Sequence, residues 1–279
     1  DELTGLTSGR VVAFESNSTH VWVALTTSSN GYYASSILQG ELLPNSSVRW
    51  EFGYSVNEDV INSLLLQGDK IWVTTAGRGL KSIDLSNHIL SSTPAALHAQ
   101  MDGMVLEDDG TMYVGLMGNG GSAAGFQTFN TITRTWGHGS LIAGLPNNLV
   151  RDFLEYGDHI MVATYGGIGL WNVTRDDWDD PITTLDGLPT PIIEHLFSID
   201  TPIQGNGTIL AGGAAGLTVL DQNNLSIINT LDFGDGLIGN LVSGITFAEA
   251  TSRLVTNPDG STMVLHHDAA IFISHNGQG

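Results

Sequence analysis

Apolar positions along this chain fall in short runs of strand length, broken by Gly, Asn and Asp. One run recurs from end to end: HVWVAL from His20, KIWVTT from Lys70, TMYVGL from Thr111, HIMVAT from His159, TILAGG from Thr208 and STMVLH from Ser261. Its third apolar position is Val23, Val73, Val114, Val162, Ala211 and Leu265, at spacings of 50, 41, 48, 49 and 54 residues. Self-similarity at such a period marks a repeat fold. A unit of this length holds four ordinary strands with their turns.

The flanks repeat as well. An apolar strand precedes each copy: VVAFES from Val11, VINSLLLQ from Val60, MVLED from Met104, VRDFLEY from Val150, IIEHLFSI from Ile192 and LVSGITFAEA from Leu241. Polar turns such as Gln67-Gly68-Asp69 and Asp108-Asp109-Gly110 link the two, with residues that accept the positive φ of tight hairpins. A Gly-rich turn and a third strand follow, as in GRGLKSIDL from Gly77, GGIGLWNV from Gly166 and AAGLTVLD from Ala214. A weaker fourth strand carries Trp50, Trp136 or Trp178.

The unit therefore reads as a meander of strands a, b, c and d. One such sheet cannot cover both of its faces, whereas sheets stacked about an axis bury them against their neighbours. The fold class this predicts is all-β: a single β-propeller domain over 1–279 with about six four-stranded blades, or seven if the chain is an excerpt. The units run approximately 5–54, 55–99, 100–143, 144–186, 187–235 and 236–279. In the last unit, STMVLH reads as strand b and AAIFIS from Ala269 as strand c, and a clear fourth strand is missing. An edge left open in this way invites strand addition from another molecule, and hence self-assembly.

The stretch GLPNNLVRDFLEYGDHIMVATYGGIGLWNV, from Gly144 to Val173, resembles the two-component-regulator-type propeller repeat. The shared pattern is a GLP-plus-Asn turn, an apolar strand, an acidic Gly turn, an aromatic-Val-Gly/Ala-Thr strand and a GGL turn. GLPTPIIEHLF from Gly187, with TILAGGAAGLTVLD after it, is similar to a second copy, and Gly77-Arg78-Gly79-Leu80 matches the last turn in part. Units one, three and six depart from the pattern. The resemblance implies the ectodomain fold of a sensor or surface protein, and that repeat carries no catalytic residues to transfer.

Composition narrows the function. Nine Lys and Arg against 29 Asp and Glu give a net charge of −20, which repels nucleic acid and anionic membranes. Cysteine is absent, which excludes disulfides and thiolate chemistry. No apolar run is long enough to span a bilayer, so no membrane insertion is expected within this chain. N-x-S/T sequons stand at Asn17, Asn45, Asn172, Asn206 and Asn224, all in a–b or c–d turns. They imply an extracellular or cell-surface glycoprotein whose opposite end, with the b–c and d–a turns, is kept for a protein or glycan partner.

The candidate binding residues lie toward that free end. Ala24, Thr74, Gly115, Ala163 and Gly212 close strand b with small side chains, and His266 takes their place in unit six, followed by His267 and Asp268. Arg151, Glu194 and His195 are polar residues in strand a, the expected innermost strand. Adjacent histidines on a strand point to opposite faces, so no metal site is assigned. The acidic turns around Glu107–Asp109 and Asp176–Asp180 suit at most a loosely bound calcium. No nucleophile elbow, metalloprotease motif or phosphate loop is present. The reading is a binding or structural module and not an enzyme. The alternative is a propeller lyase or hydrolase using a His/acid cluster in the funnel.

Overall fold

A computed structural model describes residues 10–29, 32–43, 47–56, 59–117, 125–137, 144–199, 207–237, 241–248, 251–256, 262–267 and 270–275, the stretch 246–275 as backbone alone. Sheet 1 contains β1 (Arg10–Ser16), β2 (His20–Ser29), β3 (Tyr32–Leu42) and β4 (Val48–Val56). Sheet 2 contains β5 (Ile61–Gln67), β6 (Lys70–Thr75), β7 (Leu80–Asp84) and β8 (Ile89–Ser92). Sheet 3 contains β9 (Met101–Leu106), β10 (Thr111–Leu116), β11 (Phe126–Asn130) and β12 (Thr135–Trp136). Sheet 4 has β13 (Val150–Tyr156), β14 (His159–Thr164), β15 (Gly167–Asn172) and β16 (Asp177–Ile182). Sheet 5 has β17 (Ile193–Ile199), β18 (Thr208–Gly213), β19 (Gly216–Asp221) and β20 (Ile227–Leu231). All five run in sequence order as antiparallel meanders, which fits a propeller-like fold.

The last repeat departs from the expected order. Here β21 (Val242–Ala248) pairs with β24 (Ala270–His275), while β22 (Thr251–Thr256) pairs with β23 (Thr262–His267). Elsewhere strand a pairs with strand b, and β24 is what β21 meets. Ile245 lies opposite Ile273, as Leu196 lies opposite Ala211 and Leu64 opposite Val73. AAIFIS is therefore strand b, not strand c, and STMVLH belongs to a hairpin inserted between strands a and b. Leu265 is not the equivalent of Val73, and Ser274, not His266, takes the small position.

The chain divides into two compact units, Asp1–Asp158 and His159–Gly279. In the first, Trp22, Ala24 and Ile37 of sheet 1 form a core with Ile61, Leu64 and Val73 of sheet 2. The next core joins Trp72 and Leu80 of sheet 2 to Met101, Met112, Val114 and Phe129 of sheet 3. Trp72 is fully buried, its indole N–H donating to Gln67 Oε1 at 2.7 Å, so the ring's polar edge is satisfied inside the core. In the second unit Leu210 and Leu217 pack with Phe197, Val219 and Ile245.

The small residue closing strand b has a local cause. A Cβ on Gly115 would stand 3.1 Å from Val150 Cγ1, and one on Gly212 would stand 2.6 Å from Val242 Cγ1. The first apolar residue of the next repeat's strand a is seated on this position, so a larger side chain would displace the neighbouring strand.

The c–d turns share another device. In sheets 2 to 5 each is headed by an Asx residue: Asp84, Asn130, Asn172 and Asp221. Their side-chain oxygens accept backbone N–H groups of the turn, for example Ser86 N at 3.0 Å, Arg175 N at 2.8 Å and Asn223 N at 2.7 Å. The fifth residue, His88, Arg134, Asp176 or Leu225, is left-handed with φ of 61°, 58°, 56° and 58°.

Candidate ligand-binding site

A β-bulge recurs at the start of strand a. The pairing skips one residue between Val11 and Ala13, Ile61 and Ser63, Ile193 and His195, and Val242 and Gly244. Between β9 and β10 the irregularity falls at the same place, where Met101 and Met104 face Leu116 and Val114. The ladder steps over one residue at a bulge, and bulges of this kind re-aim a strand locally, which is why they cluster beside functional sites. That residue is polar in most repeats: Asn62, Asp102, Glu194 and Ser243, with Arg151 at the matching place in β13. These residues lie at the end of each sheet that carries the b–c turn.

In the first unit the polar positions are linked. Asn62 Nδ2 donates to Met101 O at 2.6 Å, and the Arg151 guanidinium is ion-paired with Asp102. The Arg151 side chain is 27% exposed and that of Asp102 12%, so the pair is shielded but reachable from solvent. Thr74 Oγ1 donates to Asp102 O at 2.6 Å and fixes the strand beneath it. Close approach of β9 and β13 depends on Gly103, whose added Cβ would lie 2.6 Å from Arg151 O and 2.8 Å from the Asp152 Cα. Asp59, in the connector into β5, is 7% exposed. Its Oδ1 accepts Val60 N at 2.9 Å, while its buried Oδ2 has no hydrogen-bond partner among the described residues. Such an acceptor is costly to leave unmade.

In the second unit, Tyr165 Oη donates to Glu194 Oε1 at 2.8 Å, just past the end of β14. His195 follows Glu194 and pairs across the sheet with Gly212. His266 and His267 lie in β23, opposite Ser252 and Thr251. Their side chains, and the whole of Asp268, fall outside the described residues.

Asp102, Asn62, Asp59 and Tyr165 were not singled out by the sequence reading. Two of them, Asn62 and Asp102, carry a signal that aligning the repeats on the first apolar residue of strand a reveals: Ile61-Asn62, Met101-Asp102, Val150-Arg151 and Ile193-Glu194 are one position. Starting that strand at Met104 hides Asp102. Within the first unit, Asn62, Asp59 and the Asp102–Arg151 pair are a set of hydrogen-bond donors and acceptors suited to holding hydroxyl or amine groups.

The opposite ends of the sheets hold the sequons. Asn17 lies in the β1–β2 turn and Asn224 in the β19–β20 turn, both exposed. Asn45 and Asn206 are outside the described residues. Asn172, the remaining sequon, is 3% exposed and heads a c–d turn. Its Nδ2 lies 3.2 Å from His159 Nε2. The acidic run beside it is also engaged, since Asp179 is bonded to His159 at 2.7 Å and ion-paired with Arg175. These partners, the histidine foremost, hold its carboxyl below the usual range. Among the described residues, no group of three or more His, Cys, Asp or Glu side chains is placed to hold a metal.

No protein-family model and no curated protein matches this chain. Solved structures do. The extracellular domain of a one-component system from B. thetaiotaomicron is similar with a TM-score of 0.59 at 15% identity, covering 96% of this chain and 38% of its own. The extracellular domain of a hybrid two-component system from the same organism gives a TM-score of 0.56 at 15% identity, covering 95% of this chain and 40% of its own. The chain thus spans about two-fifths of the length of those neighbours. At this identity the likeness is one of fold. Among the described residues no helix is long and apolar enough to cross a membrane.

Proposed function

We propose that the chain is a non-enzymatic binding module, extracellular or at the cell surface, built as one propeller of about six blades. It holds a protein or glycan partner at the b–c ends of its sheets. The observation that carries this reading is the bulged, polar start of strand a, repeated at one register position. Asn62, the Asp102–Arg151 pair and the unsatisfied Asp59 Oδ2 offer a hydroxyl-rich ligand both donors and acceptors. The extracellular domains with similar folds support the location. Glycans on Asn17, Asn45, Asn206 and Asn224 would leave the binding end free.

A glycan array probed with the labelled chain tests this, with and without calcium, which also reads any contribution from an ion held loosely at the acidic turns. Asn62→Ala and Asp59→Asn should each weaken the bound signal about tenfold, equivalent to ~1.4 kcal/mol, without changing the circular dichroism. Undiminished binding by both variants would reject the site. Turnover of a bound oligosaccharide would reject the non-enzymatic reading.

A further inference from the structure

The opposite end of the first unit holds a cavity that the proposed ligand site leaves unused. It measures about 530 Å³, within the range of small-molecule sites. Three turns enclose it: the a–b turn of sheet 2 with Gln67, Asp69 and Lys70, the c–d turn of the same sheet with Asp84, and the c–d turn of sheet 3 with Thr131 and Ile132. All five sequons lie outside sheets 2 and 3, so this seam carries no glycan acceptor of its own.

The floor of the cavity is held in place. Gln67 is fixed from both sides: its Oε1 accepts the Trp72 indole N–H at 2.7 Å, and its Nε2 donates to Thr131 Oγ1 at 3.1 Å. Thr131 is 8% exposed and donates in turn to Gly110 O at 3.0 Å. One amide hydrogen of Gln67 is left over, since the group carries two. The walls carry charges that the fold does not consume. Among the described residues, Asp69 and Lys70 make no side-chain hydrogen bond or close ion pair. Lys70 lies opposite Asp84 in the β6–β7 ladder. The Ser86 hydroxyl, which donates to Asp84 Oδ1 at 2.6 Å, and to a lesser degree Lys70, hold the Asp84 carboxyl below the usual range, so it is ionised at neutral pH. Ile132 is 77% exposed and supplies an apolar wall.

We propose that this cavity is a second binding site, for a free basic α-amino acid. The match is one of charge: an ammonium and two carboxylates on the walls complement a carboxylate and two cationic groups on the ligand. Lys70, with the spare Gln67 amide hydrogen, takes the ligand carboxylate. Asp69 and Asp84 take its α-ammonium and its side-chain cation, and Ile132 covers the methylene stem between them. A neutral sugar leaves all three wall charges unmatched. The net charge of −20 raises the local concentration of a cationic ligand.

Titration calorimetry of the full chain with free L-lysine and two truncated analogues tests the proposal. The expected dissociation constant for L-lysine is on the order of 1 mM, because exposed ion pairs contribute little each, and it rises with added salt. Cadaverine lacks the carboxylate and norleucine lacks the side-chain ammonium, so each should bind about fivefold or more weakly. Lys70→Met should weaken L-lysine about fivefold and leave cadaverine no weaker, whereas Asp69→Asn should weaken both. Both replaced side chains are exposed, so the melting temperature should hold. The proposal is overturned if L-lysine gives no saturable heat or binds no better than its analogues. Variants that bind L-lysine like the parent overturn it equally.

Discussion

Replacing Gly103 by alanine probes the approach of β9 to β13 that brings Asp102 to Arg151. The new Cβ would stand 2.6 Å from Arg151 O and 2.8 Å from Asp152 Cα. Both are backbone atoms of a paired strand, so neither can turn aside as a side-chain tip would, and the strands must separate. Overpacking of this kind costs about 1–3 kcal/mol. In a strand without positive φ, Gly→Ala would otherwise gain about 0.4–1 kcal/mol by restricting the unfolded chain. The net expectation is a loss of about 1–2 kcal/mol, or roughly 2–8 °C in Tm for a chain of this size. Gly53→Ala is the matched control, since its Cβ would lie 3.4 Å from the Leu38 Cδ2, an ordinary contact. Urea unfolding followed by tryptophan fluorescence, with thermal melts in parallel, reads both variants. If Gly103→Ala is as stable as Gly53→Ala, the close approach is wrong, and the juxtaposition of Asp102 with Arg151 that rests on it falls as well.

Three further outcomes follow from the same geometry. Burial pushes the Glu15 carboxyl up to about 7 from 4.5, so the folded state holds a proton that the unfolded state has released across that window. Stability is then highest below pH 4.5 as far as this group is concerned and falls as pH rises toward 7; Glu15→Gln should flatten that slope in denaturation curves taken across the range. Leu225 holds a left-handed conformation at φ 58°, which costs a side chain of its type about 1–2 kcal/mol. Leu225→Asn should raise Tm by about 2–4 °C in calorimetry, and an unchanged or lower value would refute the strain. Peptide mapping of chain secreted from a glycosylating host should find Asn17 and Asn224 modified and Asn172 bare, because the Asn172 amide is inside the turn it heads.

Much of the architecture is readable along the chain because strand neighbours are sequence neighbours. Apolar runs, Gly-Asp turns and the small residue closing strand b each report a local requirement, and the five meanders run as the spacing implies. The site was half readable: Arg151 and Glu194 stand out as charges in apolar strands. Asp102 hides because it is the second residue of a strand whose continuous apolar run begins only at Met104. Asn172 reads as a sequon, although the same spot in other repeats is Asp84, Asn130 or Asp221, all turn heads.

By itself, the sequence settles that this is a chain of short strands in alike, meandering units, since alternation and turn chemistry act within a few residues. Which strand each one meets is a different matter. STMVLH and AAIFIS alternate equally well, and only the pairing of β21 with β24, with Val242 pressed on Gly212, selects between them. Alternation states that a strand has an apolar face; what covers that face is decided by packing against residues far along the chain.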